Sequence, residues 1–217
     1  MRIPLAKYGI REVVLFGGIS LAGAVLSAVF LWYLAPLFVL ALAFVLCFFR
    51  DPSRRPPDEP RVLVAPADGR VVEVAEVEER EFLESLTHKI AIFMSPLDMH
   101  VNRVPCDGRV EALVHRPGRH LNASTPEASF RNEAGAMTLV PRDEDTRILV
   151  RQVAGAMARR IVCTAQVGEH LQRGDRYGMI KFGSRAEVYV PVESGFDVEV
   201  RLGQAVRAGE TILGRFR

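Results

Sequence analysis

Gly168-Glu169-His170-Leu171-Gln172-Arg173-Gly174-Asp175 returns 35 residues later as Gly203-Gln204-Ala205-Val206-Arg207-Ala208-Gly209-Glu210. Each copy sets an apolar residue midway between two glycines and closes on an acid. Glycine at fixed spacing marks places where the backbone must adopt a conformation that a Cβ would oppose. A second echo runs ahead of the first: Pro66-Ala67-Asp68-Gly69-Arg70-Val71 recurs 39 residues later as Pro105-Cys106-Asp107-Gly108-Arg109-Val110. Two turn signatures, each used twice, predict an internally duplicated all-β domain, a flattened barrel or a sandwich.

Short Val- and Ile-rich runs between these turns supply the strands. They are Arg61–Ala65, Gly69–Val74, Lys89–Phe93, Gly108–Val114, Arg147–Val153, Arg160–Ala165, Ala186–Val190 and Asp197–Val200. Val77–Thr87, with alternating acids and apolar residues, is expected to form one short helix, and Ala154–Ala158 a turn or bulge. The glycine-framed echoes resemble the hammerhead turns of biotinyl and lipoyl domains, which join strands of a flattened barrel.

Ahead of the β region lies a different kind of sequence. Val13 to Phe49 is an uncharged run of 37 residues, too long for one membrane span of roughly 20 residues and enough for two short ones. Trp32, Tyr33 and Pro36 fall where a turn between two helices belongs. Arg2, Lys7 and Arg11 precede the run, and Arg50, Arg54 and Arg55 follow it. A hairpin puts both basic flanks on the cytoplasmic side of a cell membrane, with the following domain. Spanning and monotopic hairpins both satisfy this pattern. Arg50 to Pro60 is rich in proline and charge and reads as a linker. The expected organisation is a helical membrane hairpin over residues 1–50, a linker over 51–60 and a β domain over 61–217.

Composition excludes several classes. A net charge of +2 without a basic stripe offers nothing to nucleic acid. Three cysteines, Cys47, Cys106 and Cys163, lack both the even number of a disulfide framework and the spacing of a zinc site. No metal is expected.

Gly183-Ser184, leading into the strand-like Ala186–Val190, is the candidate centre of chemistry. Glycine leaves its carbonyl unshielded, and the adjacent hydroxyl can attack it once a base takes the proton. The densest polar cluster elsewhere is Ser95-Pro96-Leu97-Asp98-Met99-His100-Val101-Asn102-Arg103, placed after an apolar strand. There His100 can act as the base, Asp98 can share its face of the loop, and Arg103 can hold an anion. Asp68 sits in a Pro-x-Asp-Gly turn, where an aspartate by default caps the turn.

In chain order, the apolar hairpin, Arg50-Asp51-Pro52, Pro66–Gly69, Phe93–Arg103, Phe130-Arg131-Asn132-Glu133, Gln152-Val153-Ala154-Gly155 and Phe182–Arg185 resemble the short prokaryotic phosphatidylserine decarboxylases. The resemblance implies a proenzyme that cuts itself between Gly183 and Ser184. The products would be a chain of 183 residues and one of 34, held together as a heterodimer, the latter capped by a covalent pyruvoyl group derived from Ser184. That group would form a Schiff base with phosphatidylserine and release phosphatidylethanolamine, at the membrane and without metal. Asp68 matches the triad aspartate and Ser184 the triad serine. Longer members carry two histidines three apart; the first matches His100, while Arg103 stands at the second. Homodimerisation accords with the resemblance, and no pattern here demands it. Two other readings are a membrane-anchored carrier module without a reaction of its own and a β-barrel endopeptidase. Neither hammerhead carries the Met-Lys pair of a modified carrier lysine, and the histidine pairs of a zinc peptidase are missing from the sequence.

Overall fold

The uncharged run folds as two helices, α1 (Ile10–Phe30) and α2 (Ala35–Phe48). The computed structural model describes residues 5–142, 144–156, 160–181 and 184–217, in two units, Met1–Ser53 and Arg54–Arg217. Gly183 and Phe182, Arg2, and Met157 and Ala158 of the expected turn lie outside the described residues. The helix break falls just before Pro36. Leu31 closes α1 by donating to Ser27 O at 2.8 Å, and Trp32–Leu34 form a tight turn. Pro36 then occupies the first turn of α2, where its missing N–H costs nothing. Small residues of α1 face α2: Gly17, Ser20 and Ser27 are buried, and a Cβ on Gly23 would lie 2.5 Å from the Phe38 ring. Val14, Val25, Val29 and Leu40 turn outward. Lys7–Phe30 is long and apolar enough to cross a membrane.

In the second unit the strands run β1 (Val62–Val64), β2 (Gly69–Glu79), β3 (Ser85–Met94), β4 (Val101–Arg103), β5 (Gly108–Arg116), β6 (Ala134–Pro141) and β7 (Ile148–Ala154). They continue with β8 (Ile161–Cys163), β9 (His170–Leu171), β10 (Arg176–Ile180), β11 (Ser184–Pro191), β12 (Phe196–Val198), β13 (Ala205–Val206) and β14 (Ile212–Phe216). A one-turn helix, α3 (Ala128–Arg131), precedes β6. The domain is all-β. Its large sheet has the order β13-β2-β3-β11-β7-β6-β5-β9, and two small sheets have the orders β1-β14-β12 and β4-β10-β8. A single apolar core joins all three, from Leu63 and Phe216 through Ile92 and Val188 to Val104 and Ile180.

The duplication is complete. Strands β4 to β10 repeat β1, β2, β3, β11, β12, β13 and β14 one for one, so the large sheet reads alike from both ends toward the β11–β7 pair. Register agrees in detail. A bulge falls between Val71 and Glu73 in β2 and between Val110 and Ala112 in β5. The four hammerhead glycines, Gly168, Gly174, Gly203 and Gly209, all have φ between 74° and 85°. They donate to Val110 O, Val104 O, Val71 O and Ala65 O at 2.8–2.9 Å, each turn gripping the equivalent strand. Crossing bonds from Val64 N to Pro105 O and from Arg103 N to Pro66 O, both 2.9 Å, mark the pseudo-twofold axis. The second arm is nested in the first: the chain leaves after β3 and comes back at β11.

One expectation is overturned. Val77–Thr87 is no helix; it forms the tip of the β2–β3 hairpin, with Val77 facing Thr87 and Glu79 facing Ser85. Acid and apolar residues alternate there with the period of a strand. The Glu79 carboxylate accepts the N–H groups of Phe82 and Leu83, both at 2.8 Å, and closes the turn. Strands β4, β6, β9, β10, β13 and β14 add to those expected.

Candidate active site

The nested topology explains how distant residues meet. The chain crosses between arms twice, from Met94 to Val101 on the way out and from Ile180 to Ser184 on the way back. Met94, where the outgoing crossing starts, pairs with Ser184, where the returning one ends, at one end of the β3–β11 ladder. The outgoing crossing carries Asp98 and His100, and the returning one carries Ser184. Ile180 N donates to His100 O at 3.4 Å, which ties the two together.

Ser184 is the first residue of β11, fully buried, and is paired with Met94 on one side and Ala154 on the other. Its Oγ lies 3.2 Å from Met94 Sδ. The Ala154 carbonyl accepts a 2.7 Å bond from Asn132 Nδ2, and the Asn132 amide also exchanges two 2.8 Å bonds with the Leu121 backbone. The Phe-Arg-Asn-Glu segment thus clamps the end of the strand beside Ser184.

His100 is fully buried, with Nδ1 2.9 Å from Asp98 O. A carbonyl only accepts, so Nδ1 donates this bond, and in a neutral ring Nε2 is then the nitrogen with base character. The Asp98 carboxylate accepts Ser95 N at 2.8 Å, and Asp98 N donates to Ser95 O at 2.9 Å, fixing the loop that aims the ring. Asp68 accepts Ala208 N on Oδ1 and Arg54 Nη2 on Oδ2, both at 2.7 Å. Its loop reaches β4, just beyond the outgoing crossing, through Pro66 O, which takes the Arg103 N–H. Arg103 is 3% exposed; Nη1 donates to Gly174 O at 2.9 Å, and a Cβ on Gly209 would meet its Cδ at 3.0 Å. It braces both hammerhead turns.

Two residues quoted only as parts of motifs complete the surroundings. Asn102 Nδ2 faces Met94 Sδ at 3.9 Å and Pro66 O at 3.5 Å, while its Oδ1 accepts Gln152 Nε2 at 2.8 Å. Buried amides in neighbouring strands carry no motif of their own, so only three-dimensional placement reveals them.

On its opposite face, β11 holds a buried charge layer. Arg185 Nε donates to Glu187 Oε1 at 2.7 Å, and its other arm pairs with Glu73. Lys89 lies 3.0 Å from Glu73 and 3.6 Å from Glu187, and Tyr189 Oη donates to Glu187 Oε2 at 2.8 Å. Burial alone would raise the Glu187 carboxyl, but Lys89, Arg185, the Ser129 hydroxyl and Arg151 together hold it below the usual range. This layer fixes β11 from behind, one residue after Ser184.

These features define a class: a duplicated, hammerhead-turned β domain with a buried serine at the head of a central strand, paired with the residue that opens a histidine-bearing loop. The sequence model of the family described as Phosphatidylserine decarboxylase matches residues 41–214. Relatives named phosphatidylserine decarboxylase proenzyme agree. That of Salinibacter ruber is 46% identical over 198 residues, covering 89% of this chain and 86% of its own. That of Pelobacter propionicus is 44% identical over 222 residues, with 98% and 96% covered. That of Desulfotalea psychrophila is 37% identical over 214 residues, with 99% and 97% covered. The chain belongs to the phosphatidylserine decarboxylase family.

Proposed function

We propose that this chain is a proenzyme that cleaves itself between Gly183 and Ser184 and then decarboxylates phosphatidylserine to phosphatidylethanolamine. The reading rests above all on the pairing of Ser184, at the head of β11, with Met94, the residue from which the chain leaves toward His100. His100 Nε2 takes the Ser184 proton as Oγ adds to the Gly183 carbonyl, exchanging the amide for an ester. Loss of the Ser184 Cα proton breaks the Cβ–O bond, releasing the Gly183 carboxylate and leaving a dehydroalanine. Water then replaces its nitrogen as ammonia, and position 184 becomes a pyruvoyl group. A ketone fits that place, which is fully buried and bordered by a neutral thioether.

The pyruvoyl group supplies an electrophilic carbonyl that takes the substrate's amine and accepts the electrons left by departing carbon dioxide. His100 is positioned to return a proton to the decarboxylated carbon. Asp98 orients His100 through its carbonyl, and Asp68 serves as the acid of the triad. Arg103 contributes positive potential toward the phosphate or carboxylate from its braced position. The small chain stays bound because β11, β13 and β14 pair with β3, β7, β2 and β1 of the large chain. The apolar hairpin tethers the enzyme to the cytoplasmic face of the membrane, where its substrate resides.

Denaturing electrophoresis with intact mass tests the processing. The purified protein should give a 34-residue fragment blocked at its N-terminus, and Ser184→Ala a single uncut chain. Carbon dioxide release from phosphatidylserine tests the reaction. An active preparation with an intact Gly183-Ser184 bond would overturn the proposal.

A further inference from the structure

The two arms give the core an internal comparison. By register, Asn102 on β4 corresponds to Leu63 on β1, Tyr177 on β10 to Leu213 on β14, and Gln152 on β7 to Val190 on β11. All six are buried. The first arm fills these places with apolar side chains, so the fold itself does not call for polar ones. Asn102 and Gln152 bond to each other. Tyr177 Oη, by contrast, is buried without a hydrogen-bond partner among the described residues. Burial, with Cys163 nearby, pushes its phenol well up, so it remains a neutral O–H. A buried hydroxyl left unpaired is costly, which makes an absent acceptor the natural explanation.

Tyr177 and Gln152 line a groove of about 300 Å³, together with Leu113, Met137, Ile161 and Cys163. Among the described residues that line it, none is Lys, Arg, Asp or Glu; His115 stands at the rim, 3.5 Å from Glu133. The groove shares the Ser184 face of the large sheet. Ser184 pairs with Ala154, and Gln152 is two residues further along the same strand, about 7 Å away. Gln152 in turn faces Gly135, and Leu113 faces Met137.

We propose that this groove seats the acyl-glycerol part of the serine phospholipid. The Tyr177 hydroxyl donates to an ester carbonyl, and the first methylenes of a chain lie on Leu113, Met137 and Ile161. This deepens the decarboxylase reading and rests on it. An anionic phosphate would be poorly placed among these neutral walls, whereas an ester carbonyl is an acceptor without charge. The Gln152–Asn102 pair links the groove to Met94 and so to Ser184.

Cys163, an exposed thiol on the groove wall, provides a probe. In the processed Cys47→Ser protein, maleimide alkylation of Cys163 is followed by intact mass, with Cys106 buried. Dihexanoyl-phosphatidylserine should slow labelling several-fold, while glycerophosphoserine, the same headgroup without chains, should not. Equal labelling in both, or protection by glycerophosphoserine alone, would overturn the assignment. Tyr177→Phe should raise KM for dihexanoyl-phosphatidylserine several-fold with kcat and self-cleavage kept. A fall in kcat at unchanged KM would count against it. If the wild type releases no carbon dioxide from phosphatidylserine, the decarboxylase reading fails, and the labelling assay still reports whether the groove takes a diacyl lipid.

Discussion

Asp68 and Asp107 perform one structural task at the two equivalent turns. Asp68 Oδ1 accepts Ala208 N at 2.7 Å, and Asp107 Oδ1 accepts Arg173 N at 2.7 Å. Each carboxylate pins the hammerhead that follows the equivalent strand. Only Asp68 lies in the arm whose return crossing carries Ser184, and only Asp68 holds Arg54, which also pairs with Glu210 at 2.8 Å. The pair therefore separates bracing from chemistry. Replacing either with Ala should lower stability by about 1–3 kcal/mol, the cost of leaving a buried N–H without its charged partner. Asn keeps an acceptor for the turn. Asp68→Asn should slow self-cleavage markedly and Asp107→Asn should not, with cleavage followed by gel and stability by thermal melting. Equal cleavage in both would leave Asp68 a brace alone.

His100 is aimed by its own loop, and its removal has a calculable scale. Loss of a general base typically costs roughly 10²–10⁴-fold in rate. His100→Ala should slow formation of the 34-residue fragment by that order while leaving the melting temperature near that of Ser184→Ala. Time-resolved intact mass measures this directly. Processing at the normal rate, with decarboxylation lost, would confine His100 to the later proton return.

Much of this architecture was legible because duplication leaves its mark twice. The glycine echoes announced the turns, since positive φ restricts the choice of residue at four places. The nesting was less visible. It depends on β9 and β13, two-residue strands within the hammerheads, and on β10, whose Gly178 breaks the apolar pattern. That glycine is required because a Cβ there would lie 2.1 Å from Val162 O, just as one on Gly214 would lie 2.2 Å from Asp197 O. Ser184, His100, Asp98, Asp68 and Arg103 stood out by residue type. Asn102, Gln152 and Tyr177 did not, because each is polar only by contrast with its partner in the other arm.

Asn102 and Gln152 are expected to act as positioning residues. Their 2.8 Å bond crosses from β4 to β7, and Asn102 Nδ2 also lies 3.9 Å from the Met94 sulfur that Ser184 Oγ touches. Asn102→Leu copies the first arm's Leu63 and leaves the Gln152 amide partly unpaired, so it should destabilise by about 1–3 kcal/mol. Asn102→Leu with Gln152→Val copies both first-arm residues and should recover stability. Self-cleavage and kcat should remain depressed in the double variant. Melting curves and single-turnover rates, read together, distinguish this from a purely structural pair, for which stability and activity would recover in step.

Glu187 gives the domain an acid limit. Its carboxyl is held below the ordinary value of 4.5 in the folded protein, against its own burial, by Lys89, Arg185, Ser129 and Arg151. A lowered carboxylate stabilises fully above the unfolded value and loses that contribution as pH falls through the folded one. Thermal stability should therefore be steady from neutrality down toward pH 4.5 and decline on further acidification. Glu187→Gln removes one of the two carboxylates that Lys89 and Arg185 share, leaving Glu73 to face both cations, and should cost about 3–5 kcal/mol near neutrality, with a shallower decline in acid. Because Arg185 directly follows Ser184, the same substitution should loosen the head of β11 and slow self-cleavage. A melting profile of Glu187→Gln parallel to that of the wild type through the acid range would show that the charge layer does not set this limit.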